Sequence, residues 1–205
     1  MSVSLVQTGW MQGGQVVLRG DDLRRAELEA DGWVVVLRSW GAQLTESMVD
    51  VDALSALVRS GGRHGDVREL AEADLPAVLA LDASTLADYP GGMATRHDPL
   101  TEESSRLTPD RSGFGVFDAG GRALAVTFVD IDGHQAETDF TVVASEFRGL
   151  GIGAAVKAAS VLALLSRGIE VFRTGGAAEN AAILATNQRL GYVIDEQWVT
   201  LAPPP

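Results

Sequence analysis

The sequence predicts an α+β fold built around one mixed, mostly antiparallel sheet. Three observations predict it. Short apolar runs crowd the middle of the chain, and hairpin-type turns at Ala119-Gly120-Gly121 and Asp132-Gly133 join them. Only near the end does a strand lead through a long helix into another strand, the pattern of a parallel crossover.

Residues 15–18 read as a strand, Asp21 and Asp22 offer caps for a helix running to Ala30, and Gly32 stops it. An apolar run at 33–37 is a further strand, and 51–58 has helical spacing. Gly61-Gly62-Arg63-His64-Gly65 is the clearest break. It divides the chain into a small βαβ-like extension, residues 1–62, and a main domain, residues 63–205. The main domain opens with a strand at 66–70, then a helix with Asp74 as N-cap and Pro76 in its first turn. Pro90, Pro99 and Pro109 mark the next stretch as loop, with one short helix around 102–107. Strands at 113–118, 123–129 and 136–143 follow. A helix at 151–166 ends at Gly168 and feeds a strand at 170–174; a helix from 179 to 189, stopped at Gly191, leads to a last strand at 192–201.

Composition narrows the function classes. There is no cysteine, which removes disulfides, thiolate nucleophiles and Cys-bearing metal sites together. His64, His97 and His134 lie far apart without ligand-like spacing, so no metal is expected. A net charge of −12 repels phosphodiester backbones and disfavours nucleic acid, while it suits either a cationic amine partner or plain solubility. No apolar run is long enough to cross a membrane, and residues 1–10 lack the features of a signal peptide, so a cytoplasmic protein is expected. Lys157 is the only lysine; its scarcity reads as codon bias, and nothing catalytic is drawn from it.

The segment with chemistry is Val142-Val143-Ala-Ser-Glu-Phe-Arg148-Gly149-Leu150-Gly151-Ile152-Gly153-Ala154. A strand ends, glycines allow a tight turn and close approach of a ligand, and a helix begins with its first N–H groups unpaired. Such a terminus attracts anions, pyrophosphate above all, and Arg148 adds a permanent forked charge. A Walker loop fails, because Ala-Ala-Val stands from 154 where Gly-Lys-Ser/Thr is required. A Rossmann fingerprint fits poorly: antiparallel strands precede the loop, and the next strand ends in Arg173-Thr174 rather than an acid.

Arg148-x-x-Gly151-x-Gly153 resembles the (Gln/Arg)-x-x-Gly-x-(Gly/Ala) loop of the GNAT superfamily of acyl-CoA N-acyltransferases. Downstream, Asn180, then Asn187 seven residues on, then Gly191-Tyr192, is similar to that family's second signature, and the resemblance covers about residues 66–201. It implies the GNAT fold, with the sheet splayed at a cofactor cleft between the strands at Val142 and Phe172, and acetyl-CoA as co-substrate. By the same resemblance, Val142 and Val143 hold the pantetheine through their backbone. The N–H groups of Arg148, Gly149, Leu150, Gly151, Ile152, Gly153 and Ala154 hold the pyrophosphate. Asn180 bonds the pantetheine arm or the splayed backbone. Asn187 departs from the family, which has Tyr there to protonate the leaving thiolate; an amide retains only a hydrogen bond to the sulfur.

An attacking amine also needs a base. Simple alternation puts Glu137, Asp139, Thr141 and Val143 on one face of their strand, and Thr138, Phe140 and Val142 on the other. Asp139 is the first choice of base and Glu137 the second, against the alternative of two solvated acids at a sheet edge. A backbone N–H near Val143 is placed to polarise the thioester carbonyl. Tyr89, Arg96, His97 and Glu102 are polar candidates for the acceptor pocket. Residues 15–40 also echo residues 171–198: strand, helix, Gly-aromatic stop at Gly32-Trp33 and Gly191-Tyr192, strand, tryptophan at Trp40 and Trp198. That echo is read as a degenerate second GNAT-like half, adding a strand to the main sheet or to a homodimer mate, against the alternative of chance similarity between two ordinary βαβ pieces.

The expected activity is transfer of an acetyl group from acetyl-CoA to an amine of a small molecule or peptide. The alternative is an acyl-CoA-binding regulatory module without turnover.

Overall fold

The computed structural model describes residues 10–12, 14–86 and 98–204. The elements, in chain order, are β1 (Trp10–Gln12), β2 (Gln15–Arg19), α1 (Arg24–Ala30), β3 (Val34–Thr45), α2 (Val51–Gly61), β4 (Asp66–Glu69) and α3 (Leu75–Thr85). Then come β5 (Arg111–Phe117), β6 (Ala123–Asp132), β7 (Gln135–Val143), α4 (Ile152–Leu165), β8 (Val171–Ala177), α5 (Ala181–Arg189) and β9 (Val193–Ala202). Among the described residues one nine-stranded sheet runs β1-β2-β9-β3-β8-β7-β6-β5-β4. Every pairing is antiparallel except β7 with β8, so the expected α+β class and the single late crossover both hold.

The main core lies between the sheet and the helices α2, α4 and α5, with Leu54, Leu57, Val156, Val161 and Leu164 packed on Leu44, Val116, Leu124 and Phe172. Gly61 lets α2 press against α4, since a Cβ there would stand 2.3 Å from the Cβ of Ala155. A second cluster holds α3, through Val78 and Leu81, on Val126, Phe128, Phe140 and Val142. Helix α4 is apolar almost throughout, which fits its place at the centre of the larger core.

Two local expectations change. The strand read at 33–37 continues to Thr45, because β3 is hydrogen-bonded to β9 on one side and β8 on the other. Arg38, Ser39 and Gln43 broke its apolar pattern, but a strand's length is set by its partners. The helix expected around 102–107 is a single turn, closed by the Ser105 N–H to the Thr101 carbonyl at 2.9 Å. The division expected after residue 62 falls in the turn between α2 and β4, with strands of one continuous sheet on either side.

The echo between the two βαβ segments has a geometric counterpart. The order β2-β9-β3-β8 interleaves β2-α1-β3 with β8-α5-β9. Gly32 and Gly191 end α1 and α5 in the same left-handed conformation, φ +87° and +95°. Ser39 and Trp198, equally far beyond those glycines, face each other, flanked by the exchangeable pairs Arg38–Val199 and Trp40–Gln197. This local two-fold matches Trp198 with Ser39, not Trp40. Because Arg19 pairs with Trp198 and Ser39 with Ala177, it also matches Arg19 with Ala177. Pairing, not the order of apolar letters, sets the correspondence.

Candidate active site

Strands β7 and β8 run together for three register positions only: Gln135–Val171, Ala136–Phe172 and Glu137–Arg173. Beyond Glu137 and Arg173 they part. The expected splaying is therefore present, and it opens just after Phe172, which itself lies in the paired part. A cleft of about 620 Å³ fills the fork, walled by Thr138–Val143 of β7, the loop into α4, Thr174–Ala177 of β8 and one face of α5.

At its mouth stands the start of α4. Gly149 and Gly151 are left-handed, φ +75° and +81°, and Gly151 occupies the cap position without a side-chain cap. The first main-chain bond of the helix runs from the Ala155 N–H to the Gly151 carbonyl. The N–H groups of Ile152, Gly153 and Ala154 thus have no helical partner, and all three residues line the cleft. A Cβ on Gly149 would meet nothing within 4 Å, so the turn is open to a ligand. Arg148 lines the same mouth, its Nε donating to the Val143 carbonyl at 3.2 Å. Arg189 of α5 reaches it from the other side, with Nη1 3.9 Å from where a Cβ on Gly151 would lie. Two guanidiniums and an uncapped helix terminus together make a cradle that favours anions.

The inner end holds a polar cluster. The Lys157 ammonium, 1% exposed, donates to Thr138 Oγ1 at 3.2 Å and Thr174 Oγ1 at 3.1 Å. Its Nζ lies 5.7 Å from the centre of the Tyr192 ring. Burial alone depresses its pKa from 10.5 to about 7. Burial also pushes the Tyr192 hydroxyl upward, against a hydrogen bond with Thr138.

Simple alternation fails along β7. Phe128 pairs with Phe140 and Val129 with Thr138, so Asp139 is skipped. This bulge moves Thr138 to the α4 side, while Phe140 and Val142 pack with α3 on the other. Asp139 and Glu137 consequently do not stand side by side on one regular face. Asp139 lines the cleft, with Oδ2 accepting from Arg111 Nη2 at 2.6 Å. Glu137 belongs to the paired part of the strand and is not in the cleft wall; partial burial of its carboxyl pushes its pKa up, partly offset by Arg173. Ala144 donates its N–H to Leu124, and the two-residue alternation gives Val142 the same inward pairing with β6. The backbone groups of Thr141 and Val143 therefore turn toward the fork.

Of the other expected residues, Val142, Val143, Arg148, Gly149, Gly151, Ile152, Gly153, Ala154 and Asn180 line one cleft. Leu150 is exposed and stands outside it. Asn180 caps α5, its Oδ1 accepting from the Ile183 N–H at 3.1 Å. Asn187 is 1% exposed, does not line the cleft, and neither polar atom of its amide finds a partner among the described residues. Glu102 lies exposed in the turn at 101–105, away from the cleft; Tyr89, Arg96 and His97 fall outside the described residues. Lys157 and Arg189 also line the cleft, and neither is among the residues expected there from the sequence. Arg189 was findable: Ala182, Ala185, Thr186 and Arg189 follow helical spacing, a small-residue stripe ending in a cation. Lys157 stood in view as the sole lysine, at an interior position of an apolar helix.

No metal-holding group of His, Asp and Glu occurs among the described residues, and none of their helices is long and apolar enough to cross a membrane. No family model matches the chain. Solved structures do. A GCN5-related N-acetyltransferase from Sphaerobacter thermophilus superposes with a TM-score of 0.68 at 14% identity, over 91% of this chain and 58% of that one. A GCN5-related N-acetyltransferase from Kribbella flavida gives 0.60 at 17% identity, over 93% of this chain and 68% of that one. The ribosomal-protein-S18-alanine N-acetyltransferase of Escherichia coli gives 0.52 at 19% identity, over 68% of this chain and 92% of its own. This chain thus spans little more than half of the Sphaerobacter protein. These superpositions, all at under 25% identity, show the fold, which is that of the GNAT N-acetyltransferases.

Proposed function

We propose that the chain is an acetyl-CoA-dependent N-acyltransferase acting on an amine of a small molecule or peptide. The observation that carries this reading is the union, in one cleft, of an uncapped helix N-terminus with two arginines and a strand fork that exposes backbone of Thr141 and Val143. The diphosphate of CoA fits the cradle at Gly151, Ile152 and Gly153, and the arm lies along β7 as an added strand would. An N–H turned into the fork polarises the thioester carbonyl. The amine attacks the acyl carbon, the C–S bond breaks, and Asp139, in the cleft wall, takes the proton lost by nitrogen.

Binding calorimetry with CoA and NAD, followed by thiol release from acetyl-CoA across a panel of amines, tests the reading. Micromolar CoA binding, no NAD binding and amine-dependent thiol release are expected. Absence of CoA binding rejects it. A second reading, a CoA-binding module without turnover, draws on Asn187, which replaces the usual phenol and does not reach the cleft wall. CoA binding with no release on any amine would favour it.

A further inference from the structure

Acyl transfer needs a proton at sulfur as well as a base at nitrogen, and Asn187 cannot supply it. The fork holds a better candidate. By the register of β7 and β8, Thr138 and Thr174 are the first pair past the last bonded one, and Lys157 Nζ bridges their hydroxyls. Lys157 lines the same cleft whose mouth is the anion cradle. An extended arm anchored by its diphosphate on α4 and laid along β7 runs from Val143 toward Thr138, five residues or roughly 16 Å of strand. Its sulfur end therefore arrives at the ammonium.

We propose that Lys157 is the proton donor to the departing sulfur. This rests on the acyl-transfer reading. The bond from acceptor nitrogen to acyl carbon forms, the C–S bond breaks with its electron pair passing to sulfur, and a proton moves from Nζ to that sulfur. The proton released by the acceptor nitrogen goes to Asp139 and on to solvent, and Lys157 regains one from water before the next turnover.

Three features support the assignment. First, the groups facing Nζ are neutral: Thr138 from β7, Thr174 from β8, and the Tyr192 ring from the turn into β9. Among the described residues no charged group contributes to its lowered pKa, and none of their carboxylates pins it as a structural ion pair. Second, a pKa of about 7 suits an acid that must protonate a thiolate whose own pKa is about 8.5 and still recharge near neutrality. Third, this is the sole lysine in a chain whose other Lys/Arg-class cations are all arginine. Arginine cannot surrender a proton; lysine at a buried site can.

Because there is one lysine, the test needs no variant. Protein carrying isotope-labelled lysine gives a single ε-carbon resonance, whose pH midpoint is read free, with CoA, with desulfo-CoA, and with the armless nucleotide that keeps the diphosphate. A midpoint near neutral pH is expected for the free protein. CoA should raise it by at least one pH unit, since an ionising thiol favours the ammonium, while the other two ligands should not. Equal midpoints with CoA and desulfo-CoA, both bound, overturn the role of Lys157 and leave the transferase reading standing. Failure of CoA to bind at all removes both. In turnover, Lys157→Met should lower the rate at saturating CoA about 100-fold; full activity in this variant also overturns the assignment.

Discussion

Thr138 and Thr174 stand where β7 and β8 separate, and they are joined through the ammonium of Lys157 instead of through backbone. The fork is held by a side chain that costs stability to bury. A lysine is usually solvated, and removing that water without a counter-charge opposes folding.

The cost sets a pH dependence. The folded-state pKa lies at about 7, below 10.5 in the unfolded chain. Below about pH 7 both states are protonated and the burial penalty is fully present. Between 7 and 10.5 only the unfolded chain holds the proton, so stability rises with pH across that window. At about 1.4 kcal/mol per pH unit the full span is worth about 5 kcal/mol. Lys157→Met, near in shape and free of charge, should therefore be several kcal/mol more stable than the parent at pH 6. Its advantage should shrink toward pH 10. Urea unfolding at the two pH values measures this; a variant less stable at pH 6 contradicts it.

The anion cradle makes a second prediction. Gly151→Asp puts a carboxylate at the helix N-terminus, where a diphosphate would sit, and forces a side chain into a φ of +81°. Loss of helix-terminus attraction plus new repulsion, on the order of 3 kcal/mol, weakens CoA binding about 100-fold or more. Calorimetry reads it directly, and unchanged affinity rejects the cradle. Arg189→Ala should cost less, about tenfold, because Arg189 is exposed and screened.

Asp139 and Glu137 separate in a third. Asp139→Asn should reduce amine-dependent thiol release by roughly 100-fold or more, with CoA affinity intact, whereas Glu137→Gln should change it little. The difference follows from the bulge: Asp139 lines the cleft, and Glu137 stays in the paired strand. Equal losses in the two variants would mean that both carboxylates reach the acceptor.

Much of this was legible in the chain, for definite reasons. The loop from Arg148 to Ala154 carries its own physics in sequence, because glycine at a strand-to-helix junction has few other uses. The two-signature spacing located Asn180 and the fold around it. What escaped depended on pairing. The bulge at Asp139 leaves no mark in composition, yet it transfers Thr138 to the opposite face and so builds the lysine's hydrogen-bond partners. The length of β3 escaped similarly, since β8 and β9, not its own residues, extend it to Thr45. Lys157 was visible, but only the packing of α4 against the fork gives an isolated lysine a meaning.

The packing of α4 offers the last prediction, and it concerns the scaffold. Gly61 at the end of α2 lies so close to α4 that an added Cβ would overlap the Cβ of Ala155 at 2.3 Å, with the α4 backbone behind it at 3.8 Å. Neither side can yield cheaply: Ala155 is fully buried in the first turn of the helix that presents the cradle. Gly61→Ala should therefore destabilise the protein by about 1–3 kcal/mol through overpacking, despite the gain in helix propensity that alanine usually brings. Gly61→Ala combined with Ala155→Gly relieves the overlap and should recover most of the loss, less about 1 kcal/mol for a glycine inside a helix. Urea denaturation of the two single variants and the pair measures the coupling. Strict additivity would show that α2 and α4 are not in contact there, and the position of α4 against the sheet would need another support.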